Sequence, residues 1–324
     1  MRLEYQILAA VALDLLVGDP RWLPHPVKGI GRLAAALERL TRRLLPWPRA
    51  AGIVTALAVA AAAGAGAWGL VQLAALAHPA AADAVGVVVI YTTIAPRDLA
   101  RHSLAVLRPL AAGDLGEARR RVALIVGRDT DRLDAAGVTR AAVESVAEST
   151  VDGVTAPLFW AIVAGPVGAM VYRALNTLDS MFGHKDERYA EFGWASARLD
   201  DAANFLPARL TAPLVGAAAA LVGQRPAGAM RILWRDARNH ASPNAGLAEA
   251  AMAGALGVQL GGPNYYGGEP LPKPTLGDPL VPLEPRHIRL ATAMMFVTTG
   301  LFLALGLAAR VGVLHLWNVW RTAA

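Results

Sequence analysis

Two long apolar stretches constrain the fold of this chain more than any other feature. Residues 50–77 and 290–314 each match the roughly 20 residues that an α-helix needs to cross the hydrocarbon core of a bilayer. In lipid only helices and closed barrels satisfy every backbone hydrogen bond, and no strand-rich pattern is evident. A hydrophobic content of 55% and a mean hydropathy of +0.39 are also typical of a membrane protein. The sequence therefore predicts an all-α, polytopic helical membrane protein.

Further apolar segments are short or interrupted, and they bring the expected number of membrane-embedded segments to about four to six. Three of them are residues 3–17, 80–95 and 208–222. The fourth, residues 154–175, contains Gly165-Pro166 near its middle, and this pair predicts a broken or re-entrant helix. Because residues 3–17 lack a basic start and a small-residue cleavage site, we expect them to remain as the first helix.

Polar segments separate the apolar ones, and their charge sets the expected orientation. Residues 18–49 carry seven Lys or Arg against two acids, an excess that marks the cytoplasmic side. The pair 50–77 and 80–95, joined by a tight turn at His78-Pro79, would return the chain to that side. We therefore expect one integrated membrane domain, residues 1–324. Its large cytoplasmic helical loops are residues 18–49, 96–153, 176–207 and 224–289.

Composition excludes several classes of site. Cysteine is absent, which removes disulfides, thiolate nucleophiles and Cys-ligated metal clusters. The seven histidines form no His-x-x-x-His pair, so we expect no histidine-based zinc site. The net charge of +6 fits arginines at bilayer edges and anionic lipid better than nucleic acid. Residues 64–69, GAGAWG, have a nucleotide-binding spacing but lie in an apolar helix, where small residues favour close helix packing.

The densest polar motif is residues 176–201, which crowd acids, bases and aromatics between apolar segments. Charge beside lipid is costly unless it is paired, hydrated or used, so we interpret this motif as a working site and favour an enzyme. Within it, Asp200 and Asp201 are adjacent and cannot share one helix face. One is expected to face the site and the other a structural arginine such as Arg209.

A second motif is Gly127-Arg128-Asp129-Thr130. Arg128 can hold a phosphate, and Asp129 with Thr130 can hold a hydrated Mg²⁺. Alternatively, Asp129 or Thr130 only caps the next helix.

Three carboxylates, Glu144, Glu148 and Asp152, are spaced four residues apart and fall on one stripe of a helix. Like charges in this arrangement repel, which argues for a cation, a basic substrate group or an arginine partner such as Arg140; a solvated face is the alternative.

Three further polar segments are candidates: one follows the first helix, and two lie in the last third of the chain. Asp19 and His25 follow the first helix, either as functional groups or as part of a helix terminator. Residues 236–249 supply acids, an imidazole and an amide, and residues 261–268, GGPNYYGG, read as a mobile lid within a loop over residues 261–285.

Taken together, these motifs resemble the adenosylcobinamide-phosphate synthase family, membrane proteins of cobalamin biosynthesis that attach aminopropanol phosphate to adenosylcobyric acid. The matching strings are DLLVGDPRWLPHPVKGIGRL from Asp14, YTTIAPRDL from Tyr91, VGRDT from Val126, AAVESVAESTVDGVTAPLFW from Ala141, NTLDSMFGHKDERYAEFGWASARLDDAANFLPARLT from Asn176 and HASPNAGLAEAAMAGALGVQLGGPNYYGG from His240. They are spread over nearly the whole chain. Three positions depart from the family pattern: Ser149 replaces the usual Asn, His184 a common Tyr and Ala241 a common Pro.

The resemblance implies an ATP- and Mg²⁺-dependent ligase. It would join the amine of (R)-1-aminopropan-2-yl phosphate, or of aminopropanol, to a propionate carboxylate of adenosylcobyric acid, most simply through an acyl phosphate. Phosphoryl transfer of this kind depends on positioning and charge neutralisation, which suits clustered acids and arginines.

On this basis we assign three groups of residues. The metal or phosphate-bridging acids are Asp129, Asp179 and Asp200. The catalytic candidates are Glu144, Glu148, Asp179, Asp200, His25 and His240. The substrate-binding or phosphate-binding candidates are Arg97, Arg128, Thr130, Asn176, Glu187, Arg188, Trp194, Arg198, Asn244, Tyr265 and Tyr266, of which Trp194, Tyr265 and Tyr266 offer flat surfaces for the corrinoid.

The resemblance places the protein in the inner (cytoplasmic) membrane, with lipid as a partner and the active site facing the cytoplasm. Two other functions stay open. A non-enzymatic regulator of a related sensory family need not keep the acidic motifs, whereas a corrinoid or ion transporter would explain broken helices. A homo-oligomer, or association with other late membrane enzymes of the pathway, also stays open.

Overall fold

The computed structural model describes residues 1–20, 22, 25–184 and 186–323, and this part of the chain is mostly helical. Arg21, Leu23, Pro24 and Lys185, which belong to two of the matching strings, lie outside the described residues. Four helical stretches are long and apolar enough to cross a membrane: Pro48–Ala77, Pro79–Ala111, Ala135–Phe182 and Arg286–Thr322. The predicted class, a polytopic helical membrane protein, is confirmed.

The secondary structure consists mainly of α-helices, with one pair of strands near residue 270. The helices are α1 Leu3–Val17, α2 Pro26–Leu44, α3 Pro48–Ala77, α4 Pro79–Tyr91, α5 Pro96–Ala111, α6 Leu115–Val122, α7 Ala135–Thr150, α8 Ala156–Phe182, α9 Trp194–Leu221, α10 Pro226–Asp236, α11 Ala245–Leu256 and α12 Arg286–Ala323. A π-helical turn, Val151–Thr155, joins α7 to α8, and a 3₁₀ turn, Ala237–Asn239, follows α10. The strands are β1 Leu260–Tyr266 and β2 Glu269–Leu276.

The chain divides into two compact units, each assembled from separate stretches of sequence. Unit 1 contains Met1–Ala95, Ala156–Asn204 and the chain from Ala304 onward. Unit 2 contains Pro96–Thr155 and Phe205–Leu303. The expectation of one integrated domain stays a prediction.

In unit 1, α3 and α4 form the predicted helical hairpin. His78 lies between them, and its side chain accepts a hydrogen bond from the Ala80 backbone N–H at 3.1 Å. Pro79 is the first residue of α4, a position where its missing N–H is not needed. Of the glycines predicted to allow close packing, Gly64 does so, because a Cβ there would lie only 2.9 Å from Val171 Cγ2 on α8, whereas a Cβ at Gly66 or Gly69 would meet nothing within 4 Å.

Helix α8 breaks where the sequence predicted. Ala164 and Gly165 have non-helical backbone angles, with φ +65° at Gly165, and Pro166 has no N–H to donate to the carbonyl of Ile162. Arg310 of α12 supplies the missing donor, since its Nη1 donates to that carbonyl at 2.8 Å. Its Nε donates to Glu4 of α1 at 3.0 Å. The carbonyl released by the proline is therefore satisfied inside unit 1.

In unit 2, the loop predicted over residues 261–285 is wrong in its first half, which forms an antiparallel β-hairpin. Strands β1 and β2 pair with a bulge between Gly261 and Gly262. Pro270 and Pro272 alternate along β2, so their missing N–H groups fall at positions that would face the free edge rather than the partner strand. Prolines in a run argue against a strand, which is why the sequence pattern pointed to a loop.

Candidate active site

The first group of candidate residues lies in unit 1 and is named here the aspartate cluster: Asn176, Asp179, Asp200 and Asn204. Asn176 and Asp179 are three residues apart on α8, and Asp200 and Asn204 are four apart on α9, so each pair shares one helix face. Asp200 Oδ1 accepts a hydrogen bond from Asn176 Nδ2 at 3.4 Å, and its Oδ2 accepts one from Asn204 Nδ2 at 2.9 Å. Tyr172 in turn donates to Asn204 Oδ1 at 2.9 Å.

The charge of Asp200 has only neutral hydrogen-bonding partners among these contacts. The carboxylate is 8% exposed, and within the described residues it forms no ion pair with a lysine or arginine. Burial, followed by the negative charge of Asp179, raises the pKa of Asp200 to about 7, while the amides of Asn204 and Asn176 oppose that rise. A buried carboxylate in such surroundings favours a proton or another cation.

Carboxylate oxygens are ligands that Mg²⁺ prefers, and Mg²⁺ is usually bound by one or two carboxylates together with substrate phosphates. Across the described ranges, no group of three or more histidines and acids is arranged to hold a metal ion. The aspartate cluster supplies two carboxylates, Asp179 and Asp200, and their assignment to a metal ion stays a prediction.

Other candidates in unit 1 make contacts of their own. Arg188 donates to Glu38 at 3.1 Å, and Trp194 packs its ring under Arg49 at 4.9 Å. Arg198 pairs with Asp201 at 3.6 Å. The partner expected for the second aspartate was Arg209, and the structure places Arg198 in that role. Glu187 is exposed.

His25 has a structural role in unit 1. It caps α2, where its Nδ1 accepts the Val27 backbone N–H at 3.3 Å, and its Nε2 lies 3.8 Å from Asp19. This arrangement supports the helix-end interpretation of the Asp19 and His25 motif, and a catalytic role for His25 stays a prediction.

The second group of candidates lies in unit 2 and is named the glutamate cluster: Arg128, Glu144, Glu148, Glu249 and Asn264. Glu144 on α7 accepts hydrogen bonds from Arg128 Nη2 and, at 2.6 Å, from the Gly261 backbone N–H. Arg128 also donates to Asn264 Oδ1. The sequence predicted an arginine partner such as Arg140, whose Nε lies 3.9 Å from Glu144, but Arg128 is the closer partner.

Glu249 lies beside this pair on α11 and is 5% exposed. Burial and then the charges of Glu148 and Glu144 raise its pKa well above the ordinary value, while Lys273 and Arg128 act in the opposite direction. Glu148 itself is exposed and, within the described residues, has no hydrogen-bonding or ion-pair partner. Two neighbouring carboxylates whose mutual repulsion outweighs the effect of nearby cations favour a positively charged ligand group.

His240 connects to the same carboxylates. Its Nδ1 accepts the Ser242 backbone N–H at 3.0 Å, so a neutral ring carries its proton on Nε2, which lies 3.6 Å from Glu249 Oε1. Gly246 makes room for this ring, because a Cβ there would lie 2.4 Å from His240 Cβ.

Sequence reasoning named Glu249 only as one acid of residues 236–249 and Asn264 only as part of the predicted lid, and it gave neither residue a role. For Glu249 the available signal was a single carboxylate within α11, a helix otherwise made of Ala, Gly, Leu and Met. For Asn264, only the contact with Arg128 identifies it, and no spacing rule connects the two positions.

The remaining unit 2 candidates support the hairpin and its surroundings. Asp129 accepts the Gly268 backbone N–H at 2.7 Å, and its own N–H donates to the Tyr265 carbonyl at 2.8 Å. Thr130 donates to the Arg119 carbonyl at 3.2 Å. Asp129 thus anchors the turn between the strands, and its assignment as a metal ligand stays a prediction.

Tyr265 and Tyr266 each lie near a cationic side chain, and Asn244 and Arg97 each lie near the start of a helix. Arg132 lies 5.7 Å from the Tyr265 ring, and Lys273 lies 6.0 Å from the Tyr266 ring. Asn244 precedes α11 and accepts a hydrogen bond from Arg209 at 3.2 Å. Arg97 lies in the first turn of α5.

Comparison with known proteins gives one consistent result. The family described as CobD/Cbib protein matches residues 7–295. The chain is 54% identical over 291 residues to "Cobalamin biosynthesis protein CobD" of Geobacter metallireducens, which covers 90% of this chain and 91% of that protein. It is 47% identical over 308 residues to "Cobalamin biosynthesis protein CbiB" of Salmonella typhimurium, covering 94% and 96%. No solved structure matches.

Proposed function

The chain belongs to the CobD/CbiB protein family, and from this premise we propose that it acts in cobalamin biosynthesis as an ATP-dependent ligase. The reaction would join (R)-1-aminopropan-2-yl phosphate, or free aminopropanol, to the propionate carboxylate of adenosylcobyric acid. The observation that carries the pathway assignment is 54% identity over 291 residues to a cobalamin biosynthesis protein. The charge arrangement of the two clusters supports the finer assignment to a ligase.

A carboxylate does not react with an amine at neutral pH, so it must first gain a leaving group. In the proposed reaction a propionate oxygen attacks the γ-phosphorus of ATP, ADP leaves, and an acyl phosphate forms. The ammonium group loses one proton to become the amine, whose nitrogen then attacks the acyl carbon. Phosphate leaves, and the nitrogen loses a second proton to give the amide, which keeps one N–H. Catalysis of both steps depends on positioning and on neutralising charge.

The aspartate cluster suits the nucleotide. Asp179 and Asp200 would hold an Mg²⁺ carried by ATP, and Asn176 and Asn204 fix the Asp200 carboxylate in place. The ion would neutralise charge on the phosphates. Because these amides are neutral, they orient Asp200 without cancelling the charge that a cation would meet.

The glutamate cluster suits the amine. Glu148 and Glu249 are the carboxylates that an ammonium group could pair with, and Glu249 could take the proton that the amine must lose. Glu144 is less suited to that step because Arg128 already pairs with it. We therefore assign Glu144 to positioning of the hairpin through the Gly261 N–H.

The proposed location is the inner membrane, with the active site on the cytoplasmic side. The basic excess of residues 18–49 supports this orientation, and ATP is available there. The flat corrinoid would rest on an exposed aromatic ring, for which Trp194 of unit 1 and Tyr266 of unit 2 are alternative candidates.

The test is a condensation assay with purified protein in detergent. The protein is incubated with adenosylcobyric acid, ATP and Mg²⁺, and with either aminopropanol or its phosphate ester, and the product is identified by mass. We expect an amide product and stoichiometric ADP. Absence of condensation with both donors would contradict the proposal, and release of ADP without an amide would contradict the acyl-transfer step.

A further inference from the structure

A cavity of about 580 Å³ in unit 2 has not been assigned a role in the reaction. It lies between the middle of α9, the end of α10 and the segment that leads into α11. We name it the arginine pocket after Arg209 and Arg238, which line it together with Trp234 and His240. A volume of this size suits a small organic ligand.

The charge of the arginine pocket is one-sided. Among the described residues that line it, none is Asp or Glu. Within the described chain, neither Arg209 nor Arg238 forms an ion pair. This contrasts with Arg231 and Arg235 of the adjacent helix α10, which both pair with Asp278, at 3.1 and 2.8 Å.

Arg209 is fixed in the wall by neutral groups. Its Nη1 donates to the Phe205 carbonyl at 2.9 Å and to Asn244 Oδ1 at 3.2 Å, and its guanidinium stacks 3.5 Å from the Phe205 ring centre. These contacts orient the group without cancelling its charge. Arg238 is exposed on the other side, and Trp234, 76% exposed, adds an apolar surface.

Two guanidinium groups with an aromatic surface are suited to a phosphate ester. Guanidinium groups bind phosphate oxygens through paired, charge-assisted hydrogen bonds, and no carboxylate of the lining would repel the anion. An uncharged ligand would gain nothing from these two arginines.

The position of His240 indicates which phosphate ester fits. This residue lines the arginine pocket, while its Nε2 lies 3.6 Å from Glu249 in the glutamate cluster. The imidazole therefore adjoins both the positively charged pocket and Glu249, although Glu249 itself does not line the pocket. A phosphate ester in the pocket whose amino group lies next to His240 would fit this arrangement.

We propose that the arginine pocket binds the phosphate group of the amine donor, with Arg209 and Arg238 as its specificity-determining residues. The identification of the ligand as an amino-alcohol phosphate rests on the proposed function; the assignment of a phosphate-ester site rests on the pocket alone. The site would select the phosphorylated donor over the free amino alcohol.

The test measures binding of (R)-1-aminopropan-2-yl phosphate and of aminopropanol to the full-length protein in detergent by calorimetry. Arg238→Gln is the main variant, because this side chain is exposed and forms no ion pair with the described residues. Arg231→Gln is the matched control, since it removes the same charge from a nearby exposed arginine outside the pocket. We expect Arg238→Gln to weaken binding of the phosphate ester at least tenfold and to leave aminopropanol binding unchanged, while Arg231→Gln changes neither.

A second arm separates the two sources of a phosphate ester. The protein is placed in nanodiscs of phosphatidylcholine with or without phosphatidylglycerol, and binding of the soluble ester is measured again. Equal affinity in both discs supports the proposal. Ester binding that Arg238→Gln leaves unchanged, together with retention of phosphatidylglycerol that Arg238→Gln abolishes, would instead identify a lipid headgroup site and overturn it.

Failure of this inference can be told apart from failure of the proposed function. If wild-type protein forms the amide but Arg238→Gln leaves the KM for the phosphorylated donor unchanged, the pocket assignment is overturned and the ligase function stands. If Arg238→Gln abolishes binding of the ester but no amide ever forms, the phosphate site stands and the ligase function fails. Equal losses in Arg238→Gln and Arg231→Gln would overturn the pocket assignment, because they would show a general effect of charge.

Discussion

Asp200 in unit 1 and Glu144 in unit 2 are both buried carboxylates on helices, yet their partners differ. Glu144 accepts hydrogen bonds from Arg128 and from the Gly261 backbone N–H, so its charge is cancelled by a neighbour that also holds Asn264 of the hairpin. Asp200 accepts hydrogen bonds from two asparagine amides, which orient it and leave its charge uncompensated.

This difference separates a structural carboxylate from a binding carboxylate. A buried ion pair fixes geometry, and removing one partner leaves an unpaired charge that costs several kcal/mol. A buried carboxylate held only by amides carries a raised pKa and gains most from a cation that arrives later. Glu144 should therefore be needed mainly for folding, and Asp200 mainly for binding and catalysis.

The largest expected effect is on catalysis. Asp200→Asn keeps the size of the side chain and one of its two acceptor oxygens, but it removes the charge that would meet the metal nucleotide. We expect the rate of amide formation to fall by roughly 10³-fold, a loss comparable to removal of a key electrostatic contact. Asp201→Asn, one residue away and half-buried, is the control and should lose far less. If Asp200→Asn kept near-normal turnover, Asp200 would not be the binding carboxylate that the comparison with Glu144 predicts.

The complementary change is Glu144→Ala. It leaves the buried Arg128 guanidinium and the Gly261 N–H without their partner, and we expect a loss of about 3–5 kcal/mol in the free energy of unfolding. The measurement is denaturant or thermal unfolding in detergent. Glu148→Ala, on the same helix but exposed, should leave stability within about 0.5 kcal/mol of wild type. If both variants were equally stable, Glu144 would not be a structural residue.

Arg310 extends the comparison to the broken helix of unit 1. Arg310→Leu removes the donor to the Ile162 carbonyl and leaves Glu4 without its ion pair, so we expect a loss of about 2–3 kcal/mol in stability. Arg310→Lys keeps the positive charge, but its single ammonium group cannot replace the planar guanidinium that contacts both Glu4 and the Ile162 carbonyl. We therefore expect it to recover only part of the lost stability. A thermal midpoint unchanged by Arg310→Leu would show that the carbonyl released by Pro166 needs no protein donor.

The smallest expected effect is on the pH dependence of stability. Because the folded pKa of Asp200 is raised from 3.8 to about 7, its contribution to stability is fully present below the lower value and is lost progressively as pH rises to the upper one. Between about pH 6 and pH 8 the ligand-free protein should lose about 1 kcal/mol from this group. Asp200→Asn should remove that part of the slope, which thermal unfolding at several pH values can measure. An identical slope in the variant would exclude Asp200 as the titrating group.

The positions of helix turns and breaks could be predicted from the sequence, because they depend on neighbouring residues. The turn at His78-Pro79 and the break at Gly165-Pro166 were both predicted, since proline fixes the backbone and removes a donor wherever it stands. The same rule produced the error at the hairpin, where Pro270 and Pro272 suggested a loop although they occupy positions that need no partner on β1.

The partners of the buried charges were not accessible in this way. Spacing along α7 indicated that Glu144 needs an arginine, but the choice of Arg128 over Arg140 depends on how the chain folds back between them. The contact between Arg310 and the Ile162 carbonyl joins residues 148 positions apart, and no periodicity connects them. Long-range pairing decides which of several similar charged residues is structural.

The break in α8 does not by itself support the transporter interpretation. Transporters use unwound helices to present backbone carbonyls to an ion or substrate. In this chain the Ile162 carbonyl at the break is already engaged by Arg310. The break therefore matches a braced kink, and the polar groups suited to ligands lie in the aspartate and glutamate clusters.

The most direct test of the central claim, that Asp200 is held by amides so that it can meet a cation, is the binding of Mn²⁺ with ATP, followed by electron paramagnetic resonance. The account predicts that wild-type protein binds Mn²⁺ tightly only when ATP is present, and that Asp200→Asn abolishes this binding while Asp201→Asn preserves it. Equal binding of Mn²⁺ and ATP by wild type and Asp200→Asn would contradict the account.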